Sequence, residues 1–399
     1  MIFVGDYAPG ASIVNIGLDT ELLVLNLEGP ITNGKPPQHL VLESEVAKVG
    51  PILNSIQWPK HRGKILYNLA NNHFMDLGHE VAYSNVLAIR EQGNMYTGLV
   101  EETQHSFLRL ETFVHQGVKV GILSATENQN YSELSRWPAV RALDSKFFGD
   151  IVEASKQCEY LVVLFHGGAE DYPVPLEFYV ELYREFVRLG ASLVIGTHPH
   201  VPQGFEQFQS GHIFYGLGNF AVDPEVWQLE KEPNFFLTSL AVEVTFHSGV
   251  VKVNWFPLQQ SSSKKGESNI SRVELGENLT KYFDLCNEFL EDQRLRTEFW
   301  KSEAPKLFQS HGAPMLVEFY EFPSTRKSML GMLRKLLRKD ENLGPTHPLP
   351  NRESLRSRHI LTCESHVEVA KIALSQSAID SGHKGKNNDS KIDELMTYL

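Results

Sequence analysis

Five short apolar runs, at residues 2–4, 22–27, 64–70, 160–165 and 191–195, each give way to a polar or charged residue, often beside a glycine. Unbroken stretches of β-branched and aliphatic residues bounded in this way read as buried strands. Helical patterns lie between them. Tyr179, Leu182, Tyr183, Phe186 and Val187 recur at helical spacing, with Pro175 ahead of them and Gly190 just beyond. Residues 78–92 and 144–158 also read as helices. In open α/β sheets, ligands bind beyond the carboxyl ends of the strands. Here those ends carry Asp6, Glu28, Asn72 with His73, His166, and His198 with His200. Five polar strand ends therefore point to one assembled site.

Two further strand pairs read as hairpins, 106–114 with 118–123 and 236–246 with 250–256. The pattern as a whole is that of a mixed α/β sandwich. Past residue 258 the composition turns polar, and 259–272 reads as a linker. Helices are expected at 277–300 and 367–375 within an extension over 273–380, and 381–399 as a disordered tail. The main domain is thus expected over 1–258.

The chain has 399 residues with a net charge of −12, which argues against a general nucleic-acid binder. Its three cysteines are far apart and make neither a disulfide framework nor a CxxC motif. No basic and apolar leader and no run of about 20 apolar residues is present, so the expected location is cytoplasmic. One stretch departs from the acidic balance. Residues 326–339, from Arg326 to Lys339, hold six basic residues and no acidic one. It reads first as a helix packed on the main domain with a solvated basic edge. An anionic membrane surface or a protein partner is the alternative, which would make the chain peripheral to the membrane.

The mixture at the strand ends suits a pair of divalent cations. Carboxylates neutralise and bridge, imidazoles fill the borderline-soft positions, and an amide oxygen completes a shell. In Gly196-Thr-His-Pro-His200, an extended backbone continuing past Gly196 turns both imidazoles to one point, because residues i and i+2 of a strand share a side.

The order of motifs resembles the capsule-synthesis CapA family. The resemblance is carried by Gly5-Asp6, Asn26-Leu-Glu28-Gly-Pro-Ile-Thr32 and Leu69-Ala-Asn-Asn-His73-Phe-Met-Asp76-Leu-Gly78. It continues through His166-Gly-Gly-Ala-Glu170, Gly196-Thr-His-Pro-His-Val201-Pro-Gln-Gly204 and Phe214-Tyr-Gly-Leu-Gly-Asn219-Phe220. CapA-like proteins belong to the calcineurin-like metallophosphoesterase superfamily. The resemblance, which spans residues 1–258, therefore implies a four-layer α/β sandwich; the mainly helical C-terminal extension is read from the residue pattern alone. It implies two divalent metal ions (Mn, Fe or Zn), one held by Asp6, Glu28 and His200, the other by Glu28, Asn72, His166 and His198. His73 stands where the superfamily has its catalytic histidine. Asp76, Glu170 and Asn219 are read as outer residues that orient the ligands. Two positions depart from the superfamily. Ala8 stands where a histidine is usual, and Glu28 where the bridging aspartate is usual, so the first metal site is poorer by one ligand. The implied activity is metal-dependent hydrolysis of a phosphoester-type or polyanionic substrate. It would serve poly-γ-glutamate, capsule or other envelope polymer synthesis, alongside the proteins of that process. The alternative is a polymer-binding or assembly factor that keeps the fold without turnover.

Overall fold

A computed structural model describes residues 1–8, 12–31, 61–100, 110–127, 140–222, 235–247, 249–262, 267–308, 368–373 and 389–398. Two sheets form its centre. In the larger, β1 (Ile2–Tyr7), β3 (Leu22–Leu27), β4 (Lys64–Asn68) and β5 (Met95–Thr97) run parallel. It is completed by β2 (Ser12–Ile16), β12 (Asn219–Ala221), β13 (Thr238–His247), β14 (Val250–Ser262) and β15 (Glu267–Arg272). Its strand order is β2-β15-β14-β13-β1-β3-β4-β5, with β12 also paired to β1. In the smaller sheet, β7 (Val118–Thr126), β8 (Tyr160–His166), β9 (Leu193–Thr197) and β11 (Gly211–Phe214) run parallel. With β6 (Glu111–His115) and β10 (Phe205–Phe208) at the edges, its order is β10-β11-β9-β8-β7-β6.

Alternation along the strands sorts the core. Phe3, Val24, Leu66, Leu240 and Val242 join the cluster shared with the smaller sheet. Their neighbours Ile2, Val4, Leu23, Leu25, Ile65 and Ala241 join a second cluster on the opposite face. Helix α1 (His79–Glu91) covers that second face with Ala82, Val86 and Ile89. Helices α2 (Ser145–Ser155) and α3 (Glu177–Arg188) cover the outer face of the smaller sheet. The order helix, sheet, sheet, helix is the four-layer α/β sandwich expected. Among the described residues no helix is long and apolar enough to cross a membrane.

Both hairpins form. His115 pairs with Val118 across Gln116 and Gly117, which both have positive φ (50° and 82°), as a two-residue turn between twisted strands requires. The second hairpin joins β13 to β14.

The C-terminal half differs from the sequence reading in three places. The stretch 259–272, expected as a linker, contains the end of β14 and the whole of β15. β15 is hydrogen-bonded between β14 and β2. Main-chain pairing there needs few apolar side chains, and Ile270 alone of the described β15 side chains is buried, so composition hides the strand. The single helix expected at 277–300 is two, α4 (Glu277–Glu291) and α5 (Gln293–Leu307). Asp292 breaks them by leaving helical geometry (φ −102°, ψ 103°), and its carboxylate caps the next helix by accepting from the N–H groups of Arg294 and Leu295. In the tail expected as disordered, Asp389–Met396 is a helix whose Ile392 and Leu395 enter the main core. Residues 368–373, within the helix expected at 367–375, are helical. The basic stretch 326–339 lies outside the described residues.

These C-terminal helices are built into the main domain. Tyr282 Oη donates to Pro202 O (2.6 Å), Asn287 Oδ1 accepts from Phe205 N–H (3.0 Å), and Trp300 Nε1 donates to Pro175 O (3.2 Å). α4 thereby supports the chain two residues beyond His200.

Candidate metal centre

All five strand ends named from the sequence meet at one edge of the sandwich. Asp6 lies on β1 where its register against β3 shifts between Phe3 and Asp6. Such an irregularity re-aims a side chain. Its carboxylate accepts from Asn26 Nδ2 (2.8 Å) and from His198 N–H (3.1 Å), so the two sheets are joined at this residue. Glu28 follows β3, and its N–H donates to Tyr7 O (2.9 Å). His166 ends β8. Its Nε2 lies 2.9 Å from Asn72 Oδ1 and 3.6 Å from Glu28 Oε1, and its Nδ1 lies 3.0 Å from Thr197 Oγ1. Asp6, Glu28, Asn72, His166, His198 and His200 are all buried, none more than 4% exposed.

His198 and His200 converge by a different route from the one expected. β9 ends at Thr197, and His198 (φ 98°) and His200 (φ 61°) are both left-handed. A tight loop around Pro199, and not the strand period, brings the rings to 5.9 Å between centroids. Left-handed backbone at non-glycine residues costs about 1–3 kcal/mol each and clusters at functional sites. Gly196 allows the approach, since a Cβ there would sit 2.0 Å from Tyr215 O.

The nitrogen that His200 offers is set by a neighbour. Asn219 Nδ2 donates to Phe236 O (3.1 Å), which turns its Oδ1 to His200 Nδ1 (3.0 Å). Nδ1 then carries the proton, and Nε2, 3.7 Å from Glu28 Oε1, is left as the acceptor. Asn219 thus holds the ring of His200 from behind. His73 stands beside the centre, with Nδ1 2.7 Å from Asp76 Oδ2. Asn71 shapes this turn by accepting from the N–H groups of His73 (3.1 Å) and Phe74 (2.8 Å).

Three groups of side chains have ligand atoms mutually within 4.8 Å: Asp6, Glu28 and His200; Glu28, His166 and His198; and Glu170, His198 and His200. Glu28 is common to the first two. The sequence pattern does not single out two further participants. Asn26 donates to Asp6 and accepts from Asn68 Nδ2 (3.0 Å) and Asn71 Nδ2 (3.2 Å). Glu127, fully buried, places Oε1 3.3 Å from His198 Nε2 and accepts a hydrogen bond from Tyr179. Glu127 directly follows β7, so the strand-end rule finds it once the strand is extended from 123 to Thr126.

The donor set fits divalent cations. The buried carboxyl groups of Asp6, Glu28 and Glu127 must be either protonated or balanced by positive charge, which neutral imidazoles do not supply. Burial pushes the Asp6 carboxyl up to about 7, against the opposing pull of the His198 N–H and Asn26. Burial and the neighbouring His198 and His200 hold His166 well below its ordinary value, in the neutral form a cation requires. A cation must therefore displace the Asp6 proton below about pH 7, whereas His166 adds no proton competition near neutrality. Manganese affinity is expected to rise roughly fivefold from pH 6 to pH 7 and by about a further twofold above it. Calorimetric titration at several pH values checks this, and a flat profile contradicts it.

The layering and the shared carboxylate define a two-sheet α/β protein with a buried histidine–carboxylate centre that could hold metal. The family profile of the bacterial capsule synthesis protein PGA_cap matches residues 9–224, more than half of the chain, and the chain belongs to that family. The capsule biosynthesis protein CapA of Bacillus anthracis is 29% identical over 234 residues, covering 56% of this chain and 54% of its own length. The PGA biosynthesis protein CapA of Bacillus subtilis (strain 168) is 27% identical over 207 residues, covering 50% and 52%. The chain thus spans about half the length of the curated relatives it matches. Among solved structures, a putative 5'-nucleotidase from Staphylococcus aureus is similar over 73% of this chain and 58% of its own, with 12% identity and a TM-score of 0.38. A hypothetical protein from Thermus thermophilus is similar over 64% and 98%, with 14% identity and a TM-score of 0.37.

Proposed function

We propose that the chain is a metal-dependent hydrolase of phosphoesterase type that acts in capsule or other envelope polymer synthesis. The observation that carries this reading is the pair of ligand groups sharing Glu28, with the His73–Asp76 pair beside them. Asp6, Glu28 and His200 would hold one cation, and Glu28, Asn72, His166 and His198 the other. Two cations there would supply Lewis-acid charge to a phosphoester oxygen. Asp76 accepts the Nδ1 proton of His73, which leaves Nε2 as the atom that gives or takes a proton at a leaving alcohol. Asn219 and the Asn26 network hold the ligand side chains in place and are not asked to react.

The test is turnover of bis(p-nitrophenyl) phosphate with added Mn2+. His73→Ala is expected to lower kcat by about 10²–10⁴, the usual range for a lost general acid, with metal content unchanged. Ala8, in place of a histidine, is buried with Val222 and Leu237 in an apolar cluster, which favours a second reading as an assembly factor. Full metal content with no turnover on any phosphoester would select that second reading.

A further inference from the structure

The geometry points to Glu170 as a direct ligand of the metal centre, supplying the donor that Ala8 withholds. The inference rests on the reading that the centre holds metal. From the sequence Glu170, four residues past His166, is read as an outer residue that orients the ligands. In the fold its Oε1 lies 3.7 Å from His198 Nε2, and with His198 and His200 it forms a carboxylate–imidazole–imidazole group with ligand atoms mutually within 4.8 Å. His200 also belongs to the group of Asp6 and Glu28, the one short of a donor. Glu170 therefore brings a carboxylate within reach of a histidine that the Asp6 and Glu28 group also uses.

Its position is built. Gly167 N–H donates to Thr197 O (3.1 Å) and Asp171 N–H to Pro199 O (2.9 Å), so 167–171 is tied along the His-Pro-His loop. Gly168 (φ 130°) and Asp171 (φ 67°) take left-handed backbone on either side of Glu170. A Cβ at Gly168 would already touch Pro199 Cγ at 3.5 Å. One strained residue, Asp171, and two cross-loop hydrogen bonds hold the carboxylate beside the two imidazoles. Unlike the other acidic residues of the centre, the Glu170 side chain is 41% exposed. Being partly exposed, it can be replaced without opening a core cavity.

The test uses the full chain, stripped of metal, titrated with Mn2+ by calorimetry and with Co2+ by visible absorption. Wild type, Glu170→Gln and Glu28→Gln are compared, with thermal melting of each metal-free protein. Glu170→Gln is expected to melt as wild type does. It should weaken one Mn2+ step at least about tenfold, leave the other within about twofold, and shift the Co2+ d–d bands, as loss of a ligand does. Wild-type isotherms and spectra in Glu170→Gln, with binding lost in Glu28→Gln, would overturn the Glu170 assignment and leave the centre standing. Equal weakening of both steps with an unchanged Co2+ spectrum would overturn it too, since charge alone then accounts for the effect. If wild type takes up no Mn2+, the centre itself fails and this inference falls with it.

Discussion

Glu28→Gln is expected to remove both metal positions at once. Asp6 and Glu170 each belong to a single ligand group and Glu127 to none, whereas Glu28 belongs with Asp6 and His200 and also with His166 and His198. The amide keeps the size and one oxygen but not the charge that draws two cations together. The readout is metal-induced stabilisation. A ligand at about 100 times its Kd stabilises the folded state by about 2.7 kcal/mol, and for a domain of this size each kcal/mol moves Tm by about 2–4 °C. Wild type should therefore gain about 5–10 °C on adding Mn2+, and Glu28→Gln should gain nothing. The metal-free variant should melt at or above the metal-free wild type, because a buried carboxylate has been neutralised beside Asp6. A variant that keeps the full Mn2+ shift would show that Glu28 bridges nothing.

The second large effect is steric. A Cβ on Gly5 would lie 1.7 Å from Gly218 O and 2.8 Å from Gly218 C. Both are backbone atoms at the point where β1 meets β12, with Asp6 N–H donating to Gly218 O at 3.0 Å. Neither strand can yield without moving Asp6 on one side and Asn219 on the other, so the clash reaches the metal centre and the core together. Gly5→Ala is expected to cost about 4 kcal/mol or more, at the upper end for a single substitution. Gly149→Ala makes the contrast. It lies inside α2 with open space at its Cβ, and should stabilise by about 0.5–1 kcal/mol. Urea or thermal melts of the pair decide the matter. A Gly5→Ala protein within about 1 kcal/mol of wild type would show that the close approach is not as drawn.

The parallel strands are legible because burial on both faces leaves continuous aliphatic runs, and because a strand entering a polar site ends in a polar residue. That is why Asp6, Glu28, Asn72, His166, His198 and His200 can be named from the sequence and lie together in the fold. Glu127 escapes because the apolar pattern of its strand stops at Leu123, three residues before the strand does. Asn26 escapes because an asparagine inside an apolar run carries no signal until its partners, Asp6, Asn68 and Asn71, are known. The break at Asp292 is hidden by apolar spacing that continues from Phe289 and Leu290 to Leu295, Phe299 and Trp300, all in or packed against the core.

By itself the sequence determined the kinds of donor available, their order along the chain and the strand ends that carry them, because these depend on local pattern and residue chemistry. Only the tertiary structure decided which donors come within reach of one another. That depends on two sheets meeting at Asp6 and His198, on left-handed backbone at His198 and His200, and on Asn219 holding the ring of His200. It also decided that polar residues 267–272 are a strand, that the helices beyond them support the loop after His200, and that Glu170 stands over its two imidazoles. Each of these is a contact between segments far apart in the chain, and no local periodicity encodes it.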